Sequence, residues 1–174
     1  MIDLLSYFKY SPEAPLLFNS AQFLYFFICF LSLFLLFRKQ QFLRNLWTVF
    51  FSVFFYFKCS GSYFIILLGS ILINYILGFC IYNAKTKNQK LTLLIFTLVS
   101  NLGVLAYFKY ANFIINSFNS LGTELNTMNI FLPIGISFYT FQTLSYSIDI
   151  YRGNLKPEKN ILNFAFFVSF FPQL

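Results

Sequence analysis

The side chains in this sequence best placed to do chemistry are Gln142, Ser145 and Asp149, which share one apolar stretch, LPIGISFYTFQTLSYSIDIYRG at 132–153. Laid out on a helix at about 100° per residue, the three fall within a narrow arc. Ser137, Thr140, Thr143 and Ser147 form a second arc on another side of the same helix. Polar groups in hydrocarbon cost free energy unless paired, so both arcs should meet other helices or a water-lined cavity. Two uses fit: hydroxyls that join helix to helix, or the wall of a substrate tunnel. Asn74 and Asn101, each inside another apolar run, complete the set of candidate tunnel or packing residues. The absences are as telling. With no histidine in the chain, the commonest general base, the His-containing triads and the His-ligated metal sites are all excluded. There is no glycine-rich phosphate loop, no metal-ligand spacing, and no nucleophile beside a base. No residue is therefore assigned a catalytic or metal-binding role, and cofactor-binding residues stay undefined. Cys29, Cys59 and Cys80 lack CxxC spacing and read as structural filler.

The elements that must position these groups follow from composition. Of 174 residues, 59% are hydrophobic, 24% aromatic and only 10% charged, which places the chain in the membrane class. The net charge of +7 is dispersed over short loops and forms no contiguous stripe, which argues against a nucleic-acid partner. The expected fold is all-α, a polytopic transmembrane bundle of about five spans treated as one domain over residues 1–174. Residues 1–15 read as an interfacial segment, with Tyr7, Phe8 and Tyr10 around Lys9. Between Glu13 and Arg38 lie 24 uncharged residues, enough for a first span that is retained rather than cleaved. The second run, 45–57, has only 13 uncharged residues and crosses if Arg44 and Lys58 snorkel outward.

A third run of 26 uncharged residues covers 59–84, with Ser70, Asn74 and Gly78 on one stripe suited to close helix approach. The fourth span is 91–108. Residues 111–128 read as a surface segment, amphipathic helix and loop. The fifth span runs from Pro133, a good first-turn residue, to Ile150, a rise of about 27 Å against a hydrocarbon layer of about 30 Å. Gly153 stops it. A sixth, truncated apolar run follows from Asn160. With the N-terminus outside, the inner loops hold nine Lys and Arg residues and the outer ones three, which predicts a cytoplasmic KTKNQK loop at 85–90.

The stretch LPIGISFYTFQTLSYSIDIYRG resembles the segment shared by bacterial membrane-bound O-acyltransferases of the alginate O-acetylation type, whose pattern is close to LPIGISFY-F-SYxIDVYRG. AYFKYANF at 106–113 is similar to that family's GYFKYANF, and Asn74, Tyr75 and Gly78 match its NYxxG unit. The closing FVSFFPQL fits as well, so the resemblance covers almost the whole chain. It implies part of that family's fold, located in the bacterial inner membrane. The implied activity is transfer of an acyl group, usually acetyl, from a cytoplasmic thioester donor, through a tunnel, toward hydroxyls of an extracytoplasmic polysaccharide. The implied partners are the lipid bilayer, an acyltransferase outside the membrane and the polysaccharide acceptor. The family's catalytic His is expected beyond Leu174, so the 174 residues alone are expected to be inactive. Two other classes fit the same composition: a fragment of a transporter, which also tolerates intramembrane amides and acids, and a non-catalytic membrane scaffold.

Overall fold

The computed structural model describes residues 21–173. The interfacial segment expected at 1–15 and the start of the first apolar run lie outside the described residues. Six α-helices occur in order: α1 (Ala21–Leu36), α2 (Gln41–Ser60), α3 (Phe64–Asn83), α4 (Lys87–Asn119), α5 (Ile136–Arg152) and α6 (Ile161–Ser169). Short 3-10 turns stand at Gly61–Tyr63 and Phe171–Gln173, and no strand occurs among the described residues. Among the described residues, two helical stretches are long and apolar enough to cross a membrane: Gln41–Asn83, taken across its 3-10 turn, and Lys87–Asn119. Ala21–Leu36 is apolar but shorter.

Helix boundaries are set by backbone chemistry rather than by where charges fall. α2 runs through both Arg44 and Lys58, so its 20 residues exceed the 13-residue uncharged run inside it. The Arg44 guanidinium lies 5.7 Å from the Phe34 ring centre, a cation–π contact that gives the charge an aromatic partner. Lys58 is buried. α2 ends at Gly61, whose φ of 57° no helix interior can accept. α4 begins on a capping box: the Gln89 amide N–H donates to Thr86 Oγ1 (3.2 Å), and the Thr86 N–H donates to Gln89 Oε1 (3.3 Å). It then continues without a break through residues 111–119, the first part of the expected surface segment.

α5 differs from its expected start. Gly135 sits in the left-handed region at φ 74° and caps the helix, so Pro133 belongs to the preceding turn, its carbonyl accepting from Ile136 N–H at 3.4 Å. A left-handed residue cannot lie within a right-handed helix, and Gly135 therefore moves the start from 133 to 136. The expected stop holds: Gly153 has φ 80°, and the following Asn154 N–H donates to the Asp149 carbonyl at 3.0 Å. The last apolar run forms only the nine-residue α6, whose rise of about 14 Å falls well short of the hydrocarbon layer.

The chain divides into two compact units, the first built from residues up to Ile71 and from Glu158 onward, the second from Leu72–Pro157. In the first, α1, α2 and the C-terminal turn pack through phenylalanine. Phe171 is the hub, with ring centres 5.1 Å from Phe51, 5.3 Å from Phe30 and 5.8 Å from Phe55. Its backbone N–H donates to Ser52 Oγ at 3.2 Å. α2 meets α6 through Asn45 Nδ2, which donates to Asn163 Oδ1 at 3.0 Å, and meets α1 through the Trp47 indole N–H on the Phe30 carbonyl at 3.2 Å.

Candidate functional site

The second unit collects most of the candidate polar residues. Asn74 on α3 and Asn101 on α4 form a reciprocal amide pair: Asn74 Nδ2 donates to Asn101 Oδ1 at 3.0 Å, and Asn101 Nδ2 returns the bond to Asn74 Oδ1 at 2.8 Å. The second hydrogen of Asn101 goes to the Thr97 carbonyl at 2.8 Å. The Thr143 hydroxyl on α5 lies 3.4 Å from Asn101 Oδ1 and shares its one hydrogen between that oxygen and the nearer Thr140 carbonyl at 2.9 Å. Both amide hydrogens of Asn101 and one lone pair of its carbonyl oxygen are thus engaged within the amide pair and the Thr97 turn. A buried amide in this state ties three helices together at little desolvation cost.

Pairings along the helices fix their directions. Lys109 Nζ reaches Ser137 Oγ at 3.4 Å while Asn101 meets Thr143, so numbers fall along α4 as they rise along α5, and the two run antiparallel. Gly78 is where α3 and α5 close up: a Cβ there would lie 3.0 Å from Tyr146 Cε1 and 3.2 Å from Ile150 Cδ1. Of the expected small-residue stripe, Asn74 and Gly78 are buried in this unit, while half-buried Ser70 belongs to the first.

The two polar arcs of α5 have different environments. Thr140, Thr143 and Ser147 are buried. Their hydroxyls are largely satisfied on the helix itself: Thr143 Oγ1 donates to the Thr140 carbonyl (2.9 Å) and Ser147 Oγ to the Thr143 carbonyl (3.0 Å). Gln142 and Asp149 are half-buried and Ser145 is exposed, so this arc lies on the open side of α5 within the unit. The structure therefore brings Asn74 and Asn101 together and leaves Gln142, Ser145 and Asp149 apart from them. Thr97, buried beside the amide pair, was not singled out from sequence; its i−4 spacing to Asn101 was the available signal.

The loop after α4 is held by two asparagines acting as backbone mimics. Asn112 donates to the Met128 carbonyl (2.8 Å) and accepts from its N–H (2.9 Å). Asn119 does the same for Leu125, at 2.8 Å in each direction. The ammonium of Lys109 stands 5.5 Å from the Tyr110 ring centre, consistent with an interface anchor.

Nothing in this arrangement pairs a nucleophile with a base; it is a means of holding helices. Comparison with known proteins finds relatives for the chain. The chain is 32% identical to the "Peptidoglycan O-acetyltransferase" of Helicobacter pylori, over 91% of its own length and 36% of the relative. It is 38% identical to the "Probable alginate O-acetylase" of Pseudomonas aeruginosa, over 91% of its length and 32% of that protein. A shorter match to the "Probable alginate O-acetylase" of Azotobacter vinelandii is 44% identical over 58% of the chain and 21% of that protein. The chain thus spans about a third of the length of the curated relatives it matches over most of its own. No family model matches it. No solved structure matches it either.

Proposed function

We propose, from the premise that this chain belongs to the membrane-bound O-acyltransferase family of the alginate O-acetylation type, that it forms part of a membrane enzyme that acetylates an extracytoplasmic polysaccharide. The observation that carries the reading is identity across 91% of the chain to proteins named as O-acetyltransferases or O-acetylases. In the reaction, an acceptor hydroxyl attacks the carbonyl of an acetyl thioester, a base takes the hydroxyl proton, and the thiolate that leaves is protonated in turn. The thioester enters as substrate from the cytoplasm, and an acyltransferase outside the membrane hands the group to the polysaccharide.

The role proposed for these residues is scaffolding. With no histidine and no nucleophile placed beside a base among the described residues, the proton is taken by a group these residues do not supply. The chain's part is to hold α3, α4 and α5 in register around the Asn74–Asn101–Thr143 cluster, in a single transmembrane domain of about five spans. The half-exposed arc of Gln142, Ser145 and Asp149 is then the face turned to protein or water in the complete enzyme. The Asn101 amide speaks against a transport path through it, since both of its hydrogens are already given to Asn74 and to the Thr97 carbonyl.

The direct test is deletion of the gene in its source organism. Base-released acetate from the extracellular polysaccharide and cell wall should fall, and restoration of the gene should return it. Unchanged acetate would overturn the reading. Orientation has its own test, because the nine-to-three distribution of basic residues supports an outside N-terminus. In a chain with Cys29, Cys59 and Cys80 replaced by serine, Lys87→Cys should resist an impermeant maleimide added to intact cells and react after lysis. Reaction before lysis would reverse the topology.

A further inference from the structure

Between the first turn of α4 and the last turn of α5 lies a concavity of about 390 Å³, lined by Lys85, Thr86, Lys87, Lys90 and Tyr151. Three of its five lining residues are cationic, and no carboxylate lines it. Lys85 and Lys87 are exposed and Lys90 half-buried, so their ammonium groups remain open to a ligand. The corner carrying them is not a loose tail. The Thr86–Gln89 capping box fixes the backbone between the lysines, and Tyr151 approaches from α5, separated by more than 60 residues of sequence.

Three like charges gathered in one recess beside an apolar bundle repel one another, and an anion carrying more than one oxygen relieves that repulsion. Lysine ammonium groups bind phosphate as point charges, and a phenol can donate a further hydrogen bond to a phosphate oxygen. We propose that this recess is a phosphate-binding site, occupied by the phosphate of an anionic lipid headgroup or by that of a soluble phosphorylated ligand. The site is distinct from the Asn74–Asn101–Thr143 cluster and does not depend on the acetyl-transfer reading. Basic recesses at the ends of membrane helices are suited to anionic headgroups, each lysine near such a surface adding roughly fivefold in affinity. Losing all three should therefore lower occupancy by roughly 100-fold.

The test uses the full 174-residue chain in nanodiscs and reads the rate at which each lysine reacts with an amine-selective reagent, by mass spectrometry. One arm compares phosphatidylcholine discs with and without phosphatidylglycerol. The other titrates coenzyme A, then inorganic pyrophosphate, into phosphatidylcholine discs. Lys85, Lys87 and Lys90 should be protected together, while Lys39, Lys156 and Lys159 in the same sample serve as the internal comparison. Protection in the lipid arm alone assigns the phosphate to a headgroup, and protection by either soluble phosphate in neutral discs assigns it to a free ligand. A Lys85→Gln, Lys87→Gln, Lys90→Gln chain should retain far less phosphatidylglycerol through purification than a Lys39→Gln, Lys156→Gln, Lys159→Gln chain of equal charge. Equal protection of all six lysines in both arms, or equal lipid loss in the two variants, would overturn the proposal.

Discussion

The two units hold their helices by opposite chemistries. In the first, rings surround Phe171 and the helices meet over apolar surface, with polar bonds at Asn45, Trp47 and Ser52 as additions. In the second, the helices meet at an amide pair, a threonine hydroxyl and a glycine. Lipid tails are as apolar as leucine, so a bundle in a bilayer gains nothing from hiding hydrocarbon as such. It gains from close packing and from hydrogen bonds that lipid cannot supply. The first unit takes the former route and the second the latter. The difference teaches that loss should scale with volume removed in one and with unpaired polar groups in the other.

The largest effect is expected from Phe171→Ala, which removes the hub of the ring cluster and should cost about 3 to 5 kcal/mol. Reversible unfolding in mixed micelles would measure it, and Phe171→Leu should recover a large part. A loss below about 1 kcal/mol would show that volume is not what holds the first unit.

Asn101→Leu removes the reciprocal partner of Asn74 while keeping the volume similar, and should cost about 2 kcal/mol in the same assay. Asn74→Leu combined with Asn101→Leu should be less damaging than Asn101→Leu alone, because neither helix then carries an amide that lacks its counterpart. If the double variant is the worse of the two, the second unit is held by shape after all, and the contrast between the units collapses.

The smallest effect sharpens the comparison within the second unit. Gly78→Ala should cost about 1 kcal/mol, as the new methyl must push aside Tyr146 and Ile150. Gly103→Ala meets nothing within 4 Å and should be neutral or stabilising by up to about 1 kcal/mol, from helix propensity alone. Equal effects at the two glycines would mean that Gly78 is not a point of close approach.

How far these features were legible in the sequence depends on what sets them. The helical class, the turn at Gly153 and the burial of Asn74 and Asn101 could be read, because hydropathy, glycine chemistry and the cost of a lone amide in hydrocarbon are local properties. That the two amides bind each other could not, since nothing in their spacing reveals how α3 faces α4. The full length of α2 is not legible from charge, because Arg44 rests on Phe34 and Lys58 lies buried, so neither cation ends the helix. The start of α5 was misplaced because Pro133 satisfies the rules for a first turn as well as Gly135 satisfies those for a cap. Polar residues of the first unit, Asn45, Ser52 and Asn163, carried no signal, as a single amide or hydroxyl inside an apolar helix does not reveal which neighbour it meets.

One consequence of α4 concerns the depth at which its far end stands. Its 33 residues rise about 50 Å, against a hydrocarbon layer of about 30 Å. Fitting it wholly inside by leaning would need an inclination of about 50°, beyond the 0–40° that membrane helices adopt. A crossing by this helix would therefore leave several turns in water or among headgroups. Its final turns carry Asn112, Ser117 and Asn119, and the two asparagines clasp the following chain at Met128 and Leu125. The clasp ties the chain that leads on into α5 back onto the final turns of α4, so the two helices are joined by a connection braced on α4 itself.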